Sequence, residues 1–202
     1  MVEIITFEGA DYSGKTDTLL HLSKVHAKNN NLVFNEGPIY PMGLTARLLS
    51  IANQANDQDR EFLYSTIFAL DTSEAKLNHT KDERTFFQDR YWPSVIAYGN
   101  FLNKEKTIHS HIDYKPLFLL PDATILFSCS YAEKVRRSEK RGRKSVLDSF
   151  LLSNPNEVRR LELEIEKSLE GLPNIHRIDT TDMTIEEVGS EIMDYSRKVG
   201  LI

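Results

Sequence analysis

The sequence predicts an α/β fold in which a five-stranded parallel sheet is covered by helices on both faces. The main observation behind this prediction is that short apolar runs alternate along the chain with longer segments of helical periodicity. A chain of 202 residues with 40% hydrophobic content also has room for one well-buried core and is short for two. Since no Pro/Gly/Ser-rich linker or internal repeat interrupts it, we expect a single domain over residues 1–202.

The predicted elements begin with a strand and end with a helix. Apolar runs predict strands at residues 3–7, 31–34, 84–88, 123–127 and 175–178. Apolar residues at helical spacing predict helices at residues 15–28, 42–55, 59–77, 94–102, 132–140, 156–169 and 184–199. Thr184 stands three residues before Glu187, so the two side chains can form a capping box at the start of the last helix.

One segment differs in kind from the rest of the chain. Residues 136–145 read R-R-S-E-K-R-G-R-K-S and are too highly charged for a buried element. Two interpretations remain open, namely the solvated end of a helix and a mobile flap that handles phosphate groups.

Composition limits the partners and the compartment. The net charge of -5 and the pI near 5.7 provide no general field that attracts nucleic acid, so we expect no DNA or RNA partner. Cys129 is the single cysteine and follows the apolar run 125–127, which predicts a buried structural thiol. With no apolar run of membrane-spanning length and no signal peptide, we expect a cytoplasmic protein without a membrane partner.

Residues 9–16 read G-A-D-Y-S-G-K-T and fit the phosphate-binding P-loop pattern G-x-x-x-x-G-K-[ST]. The stretch follows a predicted strand directly and opens onto a predicted helix, which is the context that the pattern requires. Lys15 would reach the β- and γ-phosphates of a nucleoside triphosphate, and Thr16 would help to hold Mg²⁺. The predicted nucleotide-binding residues are Gly9, Asp11, Tyr12, Ser13, Gly14, Lys15 and Thr16.

A second motif follows the third predicted strand. Asp89 ends the apolar run at 85–88, so its carboxylate would emerge at the carboxyl edge of the sheet, where P-loop ligands bind. A carboxylate there can hold Mg²⁺, and the adjacent Arg90 can bridge phosphoryl oxygens. The alternative is that Asp89 caps the next helix and pairs with Arg90.

Together these motifs resemble those of thymidylate kinases, a branch of the P-loop nucleoside monophosphate kinases. Residues 7–16 are similar to the family pattern F-E-G-x-D-x-x-G-K-[ST], and residues 89–98 are similar to D-R-Y-x-x-S-x-x-A-Y. Pro121-Asp122, the arginine-rich segment and residues 178–180 also match. The resemblance implies the three-layer P-loop NTPase fold with an Arg-rich lid at about 136–150, ATP and Mg²⁺ as cofactors, and a homodimer.

The resemblance also implies roles for individual residues on the donor side. Asp11 would contact a substrate sugar hydroxyl, and Arg90 would sit between the donor and acceptor phosphates, with Glu8 as a supporting carboxylate nearby. The family supplies a catalytic arginine from the P-loop or from the lid, and Tyr12 occupies the P-loop position here. The implied catalytic residues are Lys15, Asp89, Arg90 and the lid arginines Arg137, Arg141 and Arg143. Alternatively, the lid arginines only solvate a helix end.

On the acceptor side the resemblance is incomplete. It implies substrate contacts from Asp11, Glu36, Arg47, Phe68, Arg90 and Tyr98, although an aromatic at helical spacing such as Phe68 fits a core position equally well. Three positions depart from the family pattern: Asn35 and Thr72 replace arginines, and Gly99 replaces a glutamine. The expected activity is transfer of the γ-phosphoryl group of ATP to a nucleoside monophosphate such as dTMP. The alternatives are a kinase for a nucleoside or other small hydroxyl compound, and a nucleotide-binding protein whose kinase activity has decayed.

Overall fold

The computed structural model describes residues 3–37, 39, 43–52, 54–55, 57–78, 83–102, 119–142 and 145–202. Within these ranges the strands are β1 (Glu3–Glu8), β2 (Leu32–Asn35), β3 (Thr85–Asp89), β4 (Ala123–Ser128) and β5 (Ile175–Asp179). The helices there are α1 (Lys15–Val25), α2 (Gly43–Ala52), α3 (Asp57–Asn78), α4 (Trp92–Leu102), α5 (Tyr131–Arg141), α6 (Val146–Leu152), α7 (Pro155–Ser168) and α8 (Ile185–Lys198).

The strands form one parallel sheet in the order β2-β3-β1-β4-β5. Each predicted strand is present, with ends that differ by at most one residue, so the predicted α/β fold is confirmed. The strand β1 lies at the centre, between β3 and β4. The chain moves to one side of β1 for β2 and β3 and then crosses to the other side for β4, and this change of direction opens a crevice at the carboxyl edge beside β1.

The two faces of the sheet have separate cores because alternate side chains of a strand point to opposite faces. On one face, α1 and α8 pack together over side chains that include Ile5, Phe87 and Ile125. On the other face, α4 and α7 pack together over side chains that include Ile4, Phe86 and Leu126. This arrangement anchors the carboxyl ends of β1 and β3 on both sides.

The charged segment 136–145 contains the last turns of α5, so it is in part the end of a helix. Arg136 and Arg141 are exposed, as expected for a solvated helix end. Ser138 is fully buried within the segment, because its face of α5 packs inward. The chain then forms α6, which the sequence analysis did not predict; Ser145 and Asp148 close a capping box at its start.

Three smaller predictions have clear outcomes. The Cys129 thiol is buried and free, as predicted. The capping box of Thr184 and Glu187 is present at the start of α8. Among the described residues, no helix is long and apolar enough to cross a membrane.

Candidate active site

The loop after β1 depends on two glycines. Gly9 has φ 139°, and a Cβ on it would lie 2.4 Å from the Phe127 carbonyl oxygen, so no larger residue fits so close to β4. Gly14 has φ 97° and directly precedes α1. Tyr12 also has a left-handed backbone, with φ 63°, which is uncommon for a residue with a side chain. These conformations curl the loop in front of the N-terminus of α1.

Lys15 lies across this loop and is almost completely buried. Its ammonium group donates hydrogen bonds to the carbonyl oxygens of Gly9 and Ala10, at 2.8 and 2.9 Å, and to the Ser13 hydroxyl at 3.3 Å. Burial, followed by the nearby Arg90 charge, lowers the pKa of Lys15 to about 8. The ammonium group is thus held beside the free amides of a helix N-terminus, an arrangement that favours a bound anion.

Asp89 reaches the same place from β3. The register pairs it with Phe7, two residues before the loop begins. One carboxylate oxygen, Oδ2, accepts a hydrogen bond from the Thr16 hydroxyl at 2.5 Å. The other, Oδ1, is buried and has no hydrogen-bond partner among the described residues. An unpaired buried carboxylate oxygen beside a threonine hydroxyl fits the oxygen ligands that Mg²⁺ prefers.

Arg90 connects the P-loop to α4. Its guanidinium donates to Asp11 Oδ1 at 2.5 Å, to the Gly9 carbonyl oxygen at 3.3 Å and to the Tyr98 hydroxyl at 3.2 Å. Burial alone would raise the pKa of Asp11, but Arg90 and Lys15 outweigh it and lower that pKa to about 2. Arg90 has φ 62°, a strained conformation of the kind that is often found at functional sites. The structure therefore orients this guanidinium by several partners at once.

Glu8, at the end of β1, contacts the residues that surround Arg90. It is fully buried, where its carboxylate accepts hydrogen bonds from the Tyr91 backbone amide at 2.9 Å and from the Ser94 hydroxyl. The same Ser94 hydroxyl accepts from Arg90 at 3.2 Å. Burial raises the pKa of Glu8 to about 7, although Ser94 and Arg90 oppose the rise. Glu8 thus acts on Arg90 through Ser94.

The predicted lid arginines occupy different environments. Arg137 donates to Glu133 at 2.7 Å, to the Tyr12 carbonyl oxygen at 3.2 Å and to the Thr180 carbonyl oxygen at 2.6 Å. Arg141 is exposed at the end of α5 and makes no hydrogen bond or ion pair within the part of the chain that the structure describes. Arg143 lies outside the described residues.

A cavity of about 310 Å³ opens beside Arg90. Of the predicted acceptor residues, four line it: Glu36, Phe68, Arg90 and Tyr98. The other described residues that line it are Gly37, Leu49, Arg60, Tyr64, Ile67, Asp89, Ser94, Val95 and Leu147. Asp11 lies next to the cavity through its contacts with Arg90 and Tyr98. Arg47 is exposed on α2 and is absent from the described lining.

Arg60 is a cavity residue that the sequence analysis missed. Its guanidinium donates to the carbonyl oxygens of Ala52 and Ala55, at 3.2 and 3.0 Å, which holds it against the end of α2. No motif surrounds Arg60, and its position depends on how α2 packs against α3. No signal in the sequence alone could have identified it.

Two of the three positions that depart from the family pattern, Asn35 and Thr72, make hydrogen bonds within the protein. Asn35 donates to Gln88 at 3.0 Å and to the Gly37 carbonyl oxygen at 2.9 Å, so it organises the turn after β2. Thr72 is fully buried, its hydroxyl lies 3.1 Å from the Tyr91 hydroxyl, and it is not part of the described cavity lining. A Cβ on Gly99 would meet no described atom within 4 Å.

Comparison with known proteins supports the same assignment as these motifs. The thymidylate kinase family model matches residues 7–192. This chain belongs to the thymidylate kinase family. Among curated proteins no sequence gives a significant match.

Two solved thymidylate kinases are similar in structure. The enzyme from Ehrlichia chaffeensis aligns with a TM-score of 0.65 and 16% identity, over 96% of this chain and 97% of its own. The enzyme from Candida albicans aligns with a TM-score of 0.60 and 21% identity, over 97% of this chain and 91% of its own, and its structure is described as revealing the origin of broad substrate specificity. These similarities establish the fold, and the family establishes that this chain is a nucleotide kinase. The family resemblance, the P-loop NTPase fold class and the enzyme class predicted from the sequence are confirmed.

Proposed function

We propose that the protein transfers the γ-phosphoryl group of ATP, with Mg²⁺, to a nucleoside monophosphate similar to dTMP. The observation that carries the proposal is that Arg90 belongs to both halves of the site. Its guanidinium donates to the Gly9 carbonyl oxygen of the P-loop and also lines the cavity. A triphosphate on the P-loop and an acceptor in the cavity would therefore meet at one oriented cation, which is the main requirement for phosphoryl transfer.

On the donor side, Lys15 and the loop amides would hold the β- and γ-phosphates. An incoming triphosphate would replace the carbonyl oxygens that now accept hydrogen bonds from Lys15. Thr16 and Asp89 would hold Mg²⁺, which when bound neutralises charge on the transferred group. No cluster of three or more His, Cys, Asp or Glu side chains suited to a metal occurs among the described residues, which fits an ion whose remaining ligands are phosphate oxygens and water.

Of the lid arginines, Arg141 is our candidate for the catalytic one. The Arg137 guanidinium is already bound to Glu133, Tyr12 and Thr180, so it is better suited to holding the P-loop in place. Arg141 has no comparable partner among the described residues and lies near enough to Tyr12 for its charge to oppose the rise in the pKa of that phenol, which burial causes. An exposed guanidinium at a helix end is able to turn toward phosphate oxygens without losing other contacts.

A second candidate acceptor is a nucleoside or another small hydroxyl compound. Two observations favour it. Asn35 and Thr72, which stand where the family has arginines, are both engaged within the protein and do not extend into the described cavity. In addition, Phe68 and Tyr64 line the cavity and provide apolar surfaces for the planar ring of a nucleoside.

An ADP-release screen would separate the candidates. Nucleoside monophosphates, nucleosides and sugar-like compounds are offered as acceptors, with Lys15→Ala as the blank and Lys24→Ala, an exposed lysine of the same helix, as the matched control. We expect turnover with a pyrimidine nucleoside monophosphate and a loss on the order of 100-fold in Lys15→Ala only. Turnover of nucleosides alone would favour the second candidate. Absence of Mg²⁺-dependent ATP binding would contradict both.

We further propose that residues 1–202 act as one kinase domain and that two copies form a homodimer. The support is the family to which the chain belongs and the single sheet that runs through the described residues. Sedimentation equilibrium at micromolar concentration would test it, with about twice the chain mass of 23.2 kDa as the expected result. A monomer at every concentration would contradict it.

A further inference from the structure

The helix α6 packs directly against the P-loop. One narrow cleft of about 10 Å³ is lined by Ala10, Asp11, Tyr12, Lys134, Asp148, Leu151, Leu152, Val158 and Leu161. A space this small accommodates no ligand, so the cleft is a packing contact between two elements. Leu151 is buried in the same core cluster as Val158 and Leu161, which fixes the far end of α6.

Tyr12 of the P-loop and Asp148 of α6 both line this cleft. Burial, followed by Asp148, raises the pKa of Tyr12 to about 12, so the phenol remains a hydrogen-bond donor at physiological pH. Asp148 also belongs to the capping box of α6, where its carboxylate accepts from the Ser145 amide at 2.9 Å and its amide donates to the Ser145 hydroxyl at 2.9 Å. The Asp148 carboxylate therefore caps α6 and also lies beside the P-loop at this cleft.

The backbone of Tyr12 is itself held firmly. Its carbonyl oxygen accepts a hydrogen bond from Arg137 at 3.2 Å, and the Cys129 thiol lies 3.5 Å from the same oxygen. Because the backbone is held, the phenol has a defined direction. Loss of the contact across the cleft would then be felt mainly in α6, whose first turn is otherwise held by the capping box and by the packing of Leu147 against the core.

We propose that Asp148 is a positioning residue which, through Tyr12, fixes α6 against the P-loop and so sets one wall of the acceptor cavity. Leu147, the residue before Asp148, lines that cavity together with Phe68 and Arg90. Since Leu147 and Asp148 are consecutive in one helix, a shift that breaks the contact with Tyr12 also moves the cavity wall. This inference rests on the proposed function, because it concerns the acceptor of that reaction.

Helix capping alone is the competing explanation for any effect at Asp148. Three variants separate the two roles. Tyr12→Phe removes the phenol hydroxyl only, Ser145→Ala removes the cap only, and Asp148→Ala removes both. Tyr195→Phe is the matched phenol control, since Tyr195 lies on α8 and stacks on His176.

The experiment measures steady-state kinetics with varied acceptor and varied ATP. In Tyr12→Phe and Asp148→Ala, we expect the KM for the acceptor to rise about tenfold and by more than the KM for ATP, because the electrostatic interaction between the phenol and the carboxylate across the cleft is lost. In the double variant Tyr12→Phe with Asp148→Ala, the KM for the acceptor should be no higher than in Asp148→Ala alone, since both changes remove the same contact. Ser145→Ala and Tyr195→Phe should stay within about twofold of the unaltered protein.

Hydrogen exchange provides a readout that does not need turnover. We expect faster exchange of the amides of α6 and of the P-loop in Tyr12→Phe, and faster exchange of the first turn of α6 only in Ser145→Ala. If Ser145→Ala reproduces the effects of Asp148→Ala and Tyr12→Phe has no effect, the contact between Tyr12 and Asp148 has no positioning role and the inference is wrong. If no acceptor is turned over, the proposed function fails, and the exchange pattern still decides whether Tyr12 fixes α6.

Discussion

The buried carboxyl of Glu8 makes the stability of this protein depend on pH in a defined window. Glu8 is fully buried, and burial raises its pKa from 4.5 to about 7. In the native state it therefore holds a proton that the unfolded chain has already released between these two values. Glu8→Gln keeps the shape of the side chain and removes the titration, so the comparison of the two proteins isolates this one group.

The sign and the size follow from proton linkage. Below pH 4.5 both states are protonated, and the stabilisation by neutral Glu8 is fully present. Between pH 4.5 and about 7 only the native group keeps its proton, so the free energy of unfolding falls progressively, by about 3 kcal/mol in total once pH has passed the native pKa. Above that value both states are ionised, and the curve is flat with respect to this group. The variant has no such loss.

Urea unfolding of both proteins at several pH values between 4.5 and 8 tests the argument. We expect the free energy of unfolding of Glu8→Gln, relative to that of the unaltered protein, to rise by about 3 kcal/mol across this range. Glu139→Gln, a change at an exposed glutamate of α5, serves as the control and should show a constant offset. A constant offset for Glu8→Gln as well would refute the reasoning, since it would mean that Glu8 titrates alike in both states.

Three further changes test the candidate site. Asp89→Asn removes the negative charge beside Thr16, so the Mg²⁺ concentration that gives half-maximal activity should rise about tenfold or more. An unchanged Mg²⁺ concentration would contradict a role of Asp89 as a metal ligand. Thr72→Arg places a charged guanidinium at a fully buried position, so we expect urea unfolding to show a free energy of unfolding lower by at least about 3 kcal/mol. The control Thr72→Val should lower it by about 1 kcal/mol. An unchanged free energy of unfolding in Thr72→Arg would contradict the burial of this position. Arg60→Ala should raise the KM for the acceptor about fivefold or more, because Arg60 lines the cavity. Arg47→Ala should raise this KM by less. A larger effect of Arg47→Ala would favour Arg47 as the acceptor contact.

Sequence reasoning could propose the donor half of the site because its parts are local. Residues 9–16 are consecutive, and the pattern of two glycines, a lysine and a threonine is itself the loop. Asp89 and Arg90 could be found because they directly follow an apolar run, and the carboxyl ends of parallel strands meet at one edge of the sheet. The alternative that Asp89 merely caps a helix loses support, since one of its oxygens binds Thr16 and the other has no partner among the described residues.

The short helix α6 was missed for a physical reason. Its seven residues include both exposed Val146 and Phe150 and buried Leu151, and two turns are too few for a periodic pattern to be recognised. Its capping box was visible in the sequence as Ser145 and Asp148, but a capping pattern identifies a helix start only when a helical pattern follows.

By itself, the sequence determined the strands, the P-loop and the position of Asp89 at the end of β3, because each of these depends on residues that are close in the chain. Only the tertiary structure decided which side chains meet around the proposed site: that Arg60 lines the cavity, that Thr72 is engaged with Tyr91, and that Arg137 is bound to Thr180. These side chains come from separate elements, and which of them meet depends on the packing of whole helices against the sheet. Packing is a property of the complete set of buried surfaces, and no local pattern encodes it.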